Sequence, residues 1–194
     1  MVKKKIGFFV TLLIIILIIS GIIFSISPVK NISLPKNKGT VDGQIAQLDS
    51  KVNVKSDRIE VSYFLTEDDF NNMLYRYIKN DVNLSGLKTE ARNNQIKVYA
   101  NTKVLSIIPT QVIIDFEPYV KNDTINFTLK NVSVGRISVP KAYYNKILKK
   151  INSAYVYVQN NDIILKKKSI EPFKVKNYSV NSGKIRLDLY YYTK

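Results

Sequence analysis

Apolar residues run without a single charge from Ile6 to Ile26, then disperse, then return from Arg58 onward in alternation with polar ones. As a helix rising about 1.5 Å per residue, the first run is roughly 30 Å long, the thickness of a bilayer's hydrocarbon core. Lys3, Lys4 and Lys5 precede it, and basic residues flanking a span stay on the cytoplasmic side. Residues 1–5 are therefore expected in the cytoplasm, 6–26 as a transmembrane anchor, and the rest outside. A cleaved signal peptide opens in the same way, but its apolar region is usually about 7–15 residues, shorter than this run.

Residues 27–57 carry Pro28, Pro35, Gly39 and Gly43 among scattered polar positions and read as a tether. As flexible chain it has an r.m.s. reach of about 30 Å. Within it Ile45, Leu48 and Val52 fall at the spacing of a short helix. Residues 58–194 form the expected extracytoplasmic domain.

Arg58 to Phe64 alternates with the period of a half-buried strand. Thr66 and Asp69 then form a capping box, with Leu65 and Phe70 placed as a hydrophobic staple. The helix they open puts Phe70, Met73, Leu74, Tyr77 and Ile78 on one face. Strands are predicted over Leu84–Ala91, with Gly86 a bend, and over Gln95–Ile108, Gln111–Val120 and Thr124–Ser133. A second helix starts at Pro140, a residue suited to a first helical position, and presents Tyr143, Tyr144, Ile147, Leu148 and Ile151. Tyr155–Val158, Asp162–Lys166, Phe173–Val180 and Lys184–Tyr192 complete the chain as strands. The fold class is α+β, with one long curved antiparallel sheet and two main helices beside the anchor.

Composition narrows the chemistry. The chain has no His, Cys or Trp, which removes Ser-His-Asp and Cys-His catalytic sets, disulfides and zinc sites of the usual ligands. The densest acidic cluster, Glu67-Asp68-Asp69, lies in a first helical turn, where a cap and the helix dipole account for it without catalysis. No enzyme, catalytic residue, metal or cofactor is expected. The formal net charge is +15, and +12 remains without Lys3 to Lys5. Such a surface attracts anions; outside a membrane these are phospholipid head groups and envelope polymers rather than nucleic acid.

Two short motifs stand out. Phe116-Glu117-Pro118 sits in the strand run, and Val134-Gly135-Arg136 precedes the second helix. Glu117 and Arg136 are candidate polar contacts, to each other or to a head group. Lys166-Lys167-Lys168 and Tyr190-Tyr191-Tyr192 add a basic and an aromatic run at strand ends.

The lysine-flanked anchor, the helix opening Leu65-Thr66-Glu67-Asp68-Asp69-Phe70-Asn71, the Phe116-Glu117-Pro118 meander and Val132 to Pro140 leading into a helix together resemble the YpmS-like family of membrane-anchored Gram-positive proteins, whose function is uncharacterised. The order helix, long strands, helix, strands is more loosely similar to tubular lipid-binding (TULIP-like) domains. That second resemblance implies a curved sheet wrapping a long helix around an acyl-chain groove. On it rests the expectation of a tethered module for a lipid or other apolar envelope ligand, held between the sheet and Phe70, Leu74, Tyr77, Ile78, Tyr143, Tyr144, Ile147 and Leu148. The alternative is a protein-interaction or scaffold domain of an envelope complex, with a closed core and no small ligand.

Overall fold

The computed structural model describes residues 2–36, 49–148, 156–160, 162–181 and 183–193, with backbone alone for 2–12, 146–148 and 169. The architecture is α+β, with two antiparallel sheets where one was expected. Sheet A holds β1 (Asp49–Val54), β2 (Arg58–Thr66), β11 (Lys184–Tyr192) and β10 (Lys174–Asn181) in that order. Sheet B runs β3 (Gly86–Arg92), β4 (Gln95–Val104), β5 (Ile108–Lys121), β6 (Thr124–Val134), β9 (Asp162–Leu165), β8 (Val156–Gln159), and the short β7 (Ile137–Ser138) pairs with β6. The chain divides because its last strand returns to its second: β11 pairs with β2 from Lys184↔Thr66 to Tyr192↔Arg58.

The sheets close on one another. Leu65, Val175, Tyr178 and Ile185 of sheet A meet Leu87, Ala91, Ile96, Val98 and Ile125 of sheet B in one buried cluster. Alternation, with a bulge between Val175 and Asn177 in β10, places these side chains on one face of each strand, and burying that face drives the packing. Helix α1 is Val2–Ile26, α2 Glu67–Ile78 and α3 Lys141–Leu148. The capping box at Thr66 and Asp69 forms as read from the sequence. From α2, Phe70, Met73, Leu74 and Ile78 pack on the central cluster.

Helix α2 also covers an open sheet edge. β3 ends sheet B, so its outward backbone groups have no neighbouring strand. Asn71 Nδ2 donates to the Leu87 carbonyl at 2.9 Å, and the Ala91 N–H donates to Glu67 Oε1 at 2.7 Å. Glu67 and Asp69 of the acidic first turn are thus occupied with structural bonds. With 12 residues, α2 is not the long helix of a tubular domain wrapped by one curved sheet.

Two further expectations change. Gln95–Ile108 is not one strand, because Leu105 and Ser106 turn at φ 51° and 61° and β5 begins at Ile108. The expected tether is also not free chain where it is described. Residues 49–54 are β1, paired with β2 throughout, so Val52 is in a strand and not a helix. Ile45 and Leu48 lie outside the described residues. So does the remainder of 37–48.

Candidate functional site

The last four carbonyls of any α-helix lack intrahelical donors, and at the end of an apolar helix they need partners elsewhere. In α1 every one has a partner. The Ile23 oxygen accepts from Ser27 N at 3.0 Å and Ser27 Oγ at 2.7 Å. Phe24 O accepts from Arg136 Nη1 at 2.7 Å, Ser25 O from Arg136 N at 2.8 Å, and Ile26 O from Thr110 Oγ1 at 2.5 Å. The Arg136 guanidinium also lies 4.3 Å from the Phe24 ring centroid. A cation there complements the negative end of the helix dipole. Three of the four carbonyls are therefore capped by the domain.

Sheet B makes room for this helix end. Pairing of β5 with β6 stops at Val112↔Val134, which leaves residues 110–111 of β5 open on that side. Gly135, buried at φ 58°, turns the chain there and donates its N–H to the Gln111 carbonyl at 2.7 Å. A Cβ on Gly135 would stand 2.5 Å from the Ile26 carbonyl carbon. Only glycine permits both the dihedral angle and the approach.

Beyond Ile26 the chain crosses sheet B as a strap. Gln111, fully buried, accepts from the amides of Val29 and Lys30 at 3.3 and 3.2 Å, and donates to the Lys30 carbonyl at 3.0 Å and Asn101 Oδ1 at 2.7 Å. The Leu87 amide then donates to Ser33 O at 3.1 Å. Gly86 admits the Ile32 carbonyl, which would lie 2.5 Å from a Cβ there. Gly86 therefore serves a close approach rather than the predicted bend.

An ion pair fixes the strap's middle. Lys30 Nζ is 2.6 Å from Glu90 Oε1, and Lys88 is 3.3 Å from the same oxygen. Burial pushes the Glu90 carboxyl up, but hydrogen bonds from Lys30 and Lys88 push it further down, below its ordinary 4.5. The hydrogen bond to Glu90 raises Lys30 above 10.5. In sheet A, hydrogen bonds from Lys55 and then Lys176 hold Glu60 down at about 2. A depressed carboxylate stabilises the fold above its unfolded pKa and loses that contribution as pH falls through its folded one. The raised lysine loses its own contribution only as pH climbs above 10.5. Acidification through the window below 4.5 is therefore expected to loosen the strap, which Glu90 holds through Lys30, and, towards about 2, the end of β1, which Glu60 holds through Lys55. Hydrogen exchange at the Leu87 amide, corrected for its intrinsic rate, measures the strap; unchanged protection across that window would contradict the expectation.

The apolar candidates do not meet in one groove. Phe70, Leu74 and Ile78 pack on the central cluster, whereas Tyr144 is buried in a second one with Leu129. Tyr77 and Tyr143 are each 65 % exposed, so the apolar face read for them does not hold; amphipathic tyrosine satisfies helical spacing without being buried. Ile147 and Leu148 lie in α3, with side chains outside the description. Glu117 and Arg136 are not a pair either. Glu117 meets Lys130, and Arg136 caps α1.

The clefts of the surface have other walls. One of about 250 Å³ opens among Tyr119, Lys121, Asn126, Asp162, Lys166 and Lys167. In it Asp162 accepts from Tyr119 Oη at 2.6 Å and Thr128 Oγ1 at 2.7 Å. The Asp162 hydrogen bond, then burial, pushes the Tyr119 phenol up to about 12. Another, of about 710 Å³, lies between strap residues Asn31–Lys36 and Asp68, Asp69, Asn71 and Asn72 of α2. Both have mixed walls: Ile164 and Leu165 line the first beside its polar groups, and Ile32, Leu34 and Leu87 the second. Among the described residues no cluster of three or more His, Cys, Asp or Glu could hold a metal, and among those with described side chains, which in α1 are residues 13–26, no helix is long and apolar enough to cross a membrane.

Sequence reading singled out Arg136 and Gly135 but missed Thr110 and Gln111, which are ordinary strand residues by pattern. No family model, curated protein or solved structure matches the chain.

Proposed function

We propose that the protein is a single-pass, membrane-anchored docking module of the cell envelope, with its N-terminus cytoplasmic and its α+β domain held at the outer bilayer face. The observation that carries this reading is the end of α1. From Leu13 to Phe24 its large apolar side chains remain 39 to 63 % exposed. Apolar surface of that extent marks a membrane or protein contact, and the uncharged run from Ile6 with Lys3 to Lys5 before it favours a span. The YpmS-like resemblance implies the same placement.

The domain acts by binding at its surface rather than by catalysis. Phe70, Leu74, Ile78 and Tyr144 are occupied with core contacts, which favours docking of an envelope protein or anionic polymer over carriage of an acyl chain. The net positive charge supports an anionic partner.

Because the chain lacks cysteine, single substitutions report topology cleanly. In intact cells, Asn94→Cys is expected to react with an impermeant maleimide, and Lys4→Cys only after permeabilisation, while the protein resists alkaline extraction from membranes. Release by alkali, or Asn94→Cys silent until cells are opened, overturns the reading.

A further inference from the structure

Within the β3–β6 meander of sheet B, one turn differs in chemistry from the other two. The β3–β4 turn is Asn93-Asn94, at φ 51° and 60°, and the β5–β6 turn is Asn122-Asp123, at 54° and 61°. Asn and Asp tolerate this left-handed region best among residues other than glycine. The β4–β5 turn takes the same dihedral angles, 51° and 61°, with Leu105-Ser106. A leucine there carries backbone strain, and nothing among the described residues covers it: Leu105 is 80 % exposed and Ile107 77 %. Val104, next to Leu105 in the chain, is exposed too, as is Ile137 at the same end of sheet B.

Antiparallel register places these turns. β4 runs toward the Leu105 turn, β5 away from it, and β6 ends at Gly135, back at the same end. That end is where Thr110, Gly135 and Arg136 receive the last turn of α1. The polar turns Asn93-Asn94 and Asn122-Asp123 are at the opposite end. No acidic residue occurs in 101–110 or 134–148, whereas Lys103 and Arg136 do. The β8–β9 turn also places an asparagine, Asn160, at positive φ, 51°, and water gives no reason for the β4–β5 hairpin to take a strained, apolar tip instead. A bilayer interface does, since it accepts apolar side chains below and cations at head-group level.

We infer that the β4–β5 hairpin inserts Leu105 and Ile107 into the outer interface of the anionic phospholipid bilayer that α1 crosses, with Lys103 and Arg136 at head-group level. This rests on the reading of α1 as the anchor. The domain then has two membrane contacts, one through α1 and one through the hairpin, which fix its tilt.

The full chain in phosphatidylcholine–phosphatidylglycerol liposomes tests it, with an environment-sensitive fluorophore on single cysteines Leu105→Cys, Ile107→Cys, Asn94→Cys and Ile18→Cys. Ile107→Cys keeps the positive-φ pair of the turn intact. Blue-shifted emission at residues 105 and 107, quenched by spin-labelled lipid and shielded from aqueous iodide, is expected, with residue 94 behaving as in water. If residues 105 and 107 behave like residue 94 while residue 18 lies in lipid, the hairpin inference is overturned and the anchor stands. If residue 18 is itself in water, the anchor reading fails and the hairpin inference falls with it.

Discussion

Gly135→Ala is expected to cost about 2–4 kcal/mol of domain stability and to release the last turn of α1 from sheet B. Two effects combine. A non-glycine residue at φ 58° carries left-handed strain of roughly 1–2 kcal/mol. The new Cβ would also stand 2.5 Å from the Ile26 carbonyl carbon and 2.6 Å from its Cα, and backbone atoms, unlike a flexible side-chain tip, cannot swing aside. Gly183→Ala separates the two effects: its φ is 78°, but its Cβ would meet only the Glu67 side chain, at 3.5 Å or more. Denaturant unfolding of both variants measures the difference. Equal losses would mean that α1 does not press on Gly135.

Replacing Gln111 with alanine is expected to destabilise by about 3 kcal/mol, because a buried polar group left without a partner costs about 1–3 kcal/mol and several are left at once. The Val29 and Lys30 amides lose an acceptor, and the Lys30 carbonyl and Asn101 Oδ1 lose a donor. Gln111→Glu keeps the acceptor but faces the Lys30 carbonyl and Asn101 Oδ1 with a carboxylate oxygen, so it should rescue little. Chemical denaturation combined with hydrogen exchange at Val29 and Lys30 reads both. A loss within about 0.5 kcal/mol, typical of a neutral surface site, would show that the strap is not docked.

These two sites show what the sequence discloses and what it does not. Local chemistry is legible: the capping box at Thr66 and Asp69 and the alternation of β2 depend on neighbours within a few residues. Partners are not. Arg136 reaches Phe24 across 112 residues, and nothing in Val134-Gly135-Arg136 names the helix it caps. Residues 27–57 look like a linker because Pro and Gly are its visible features, while the groups that hold its first part, Gln111, Gly86 and Glu90, lie in distant strands. Period-two alternation says that β2 and β11 are strands, but not that they pair with each other to make a second sheet.

The candidate site failed in a related way. Helical spacing joined Tyr77 and Tyr143 to Phe70, Leu74, Ile78 and Tyr144, yet tyrosine fits both a core and a wet face. The strand break at Leu105 was hidden because alternation runs through the turn and no Gly, Asn or Asp marks it. If the hairpin inference holds, that silence has a physical cause: the residues were chosen for lipid and not for turning.

The central claim is that the domain is seated on α1 rather than tethered to it. Double electron–electron resonance between spin labels at Ser20→Cys and Asn94→Cys, in full-length protein reconstituted in lipid nanodiscs, tests this most directly. The seated arrangement predicts one narrow distance distribution, broadened by Gly135→Ala. A distribution already broad in the otherwise unaltered protein, on the scale of the about 30 Å reach of a flexible linker, would contradict it.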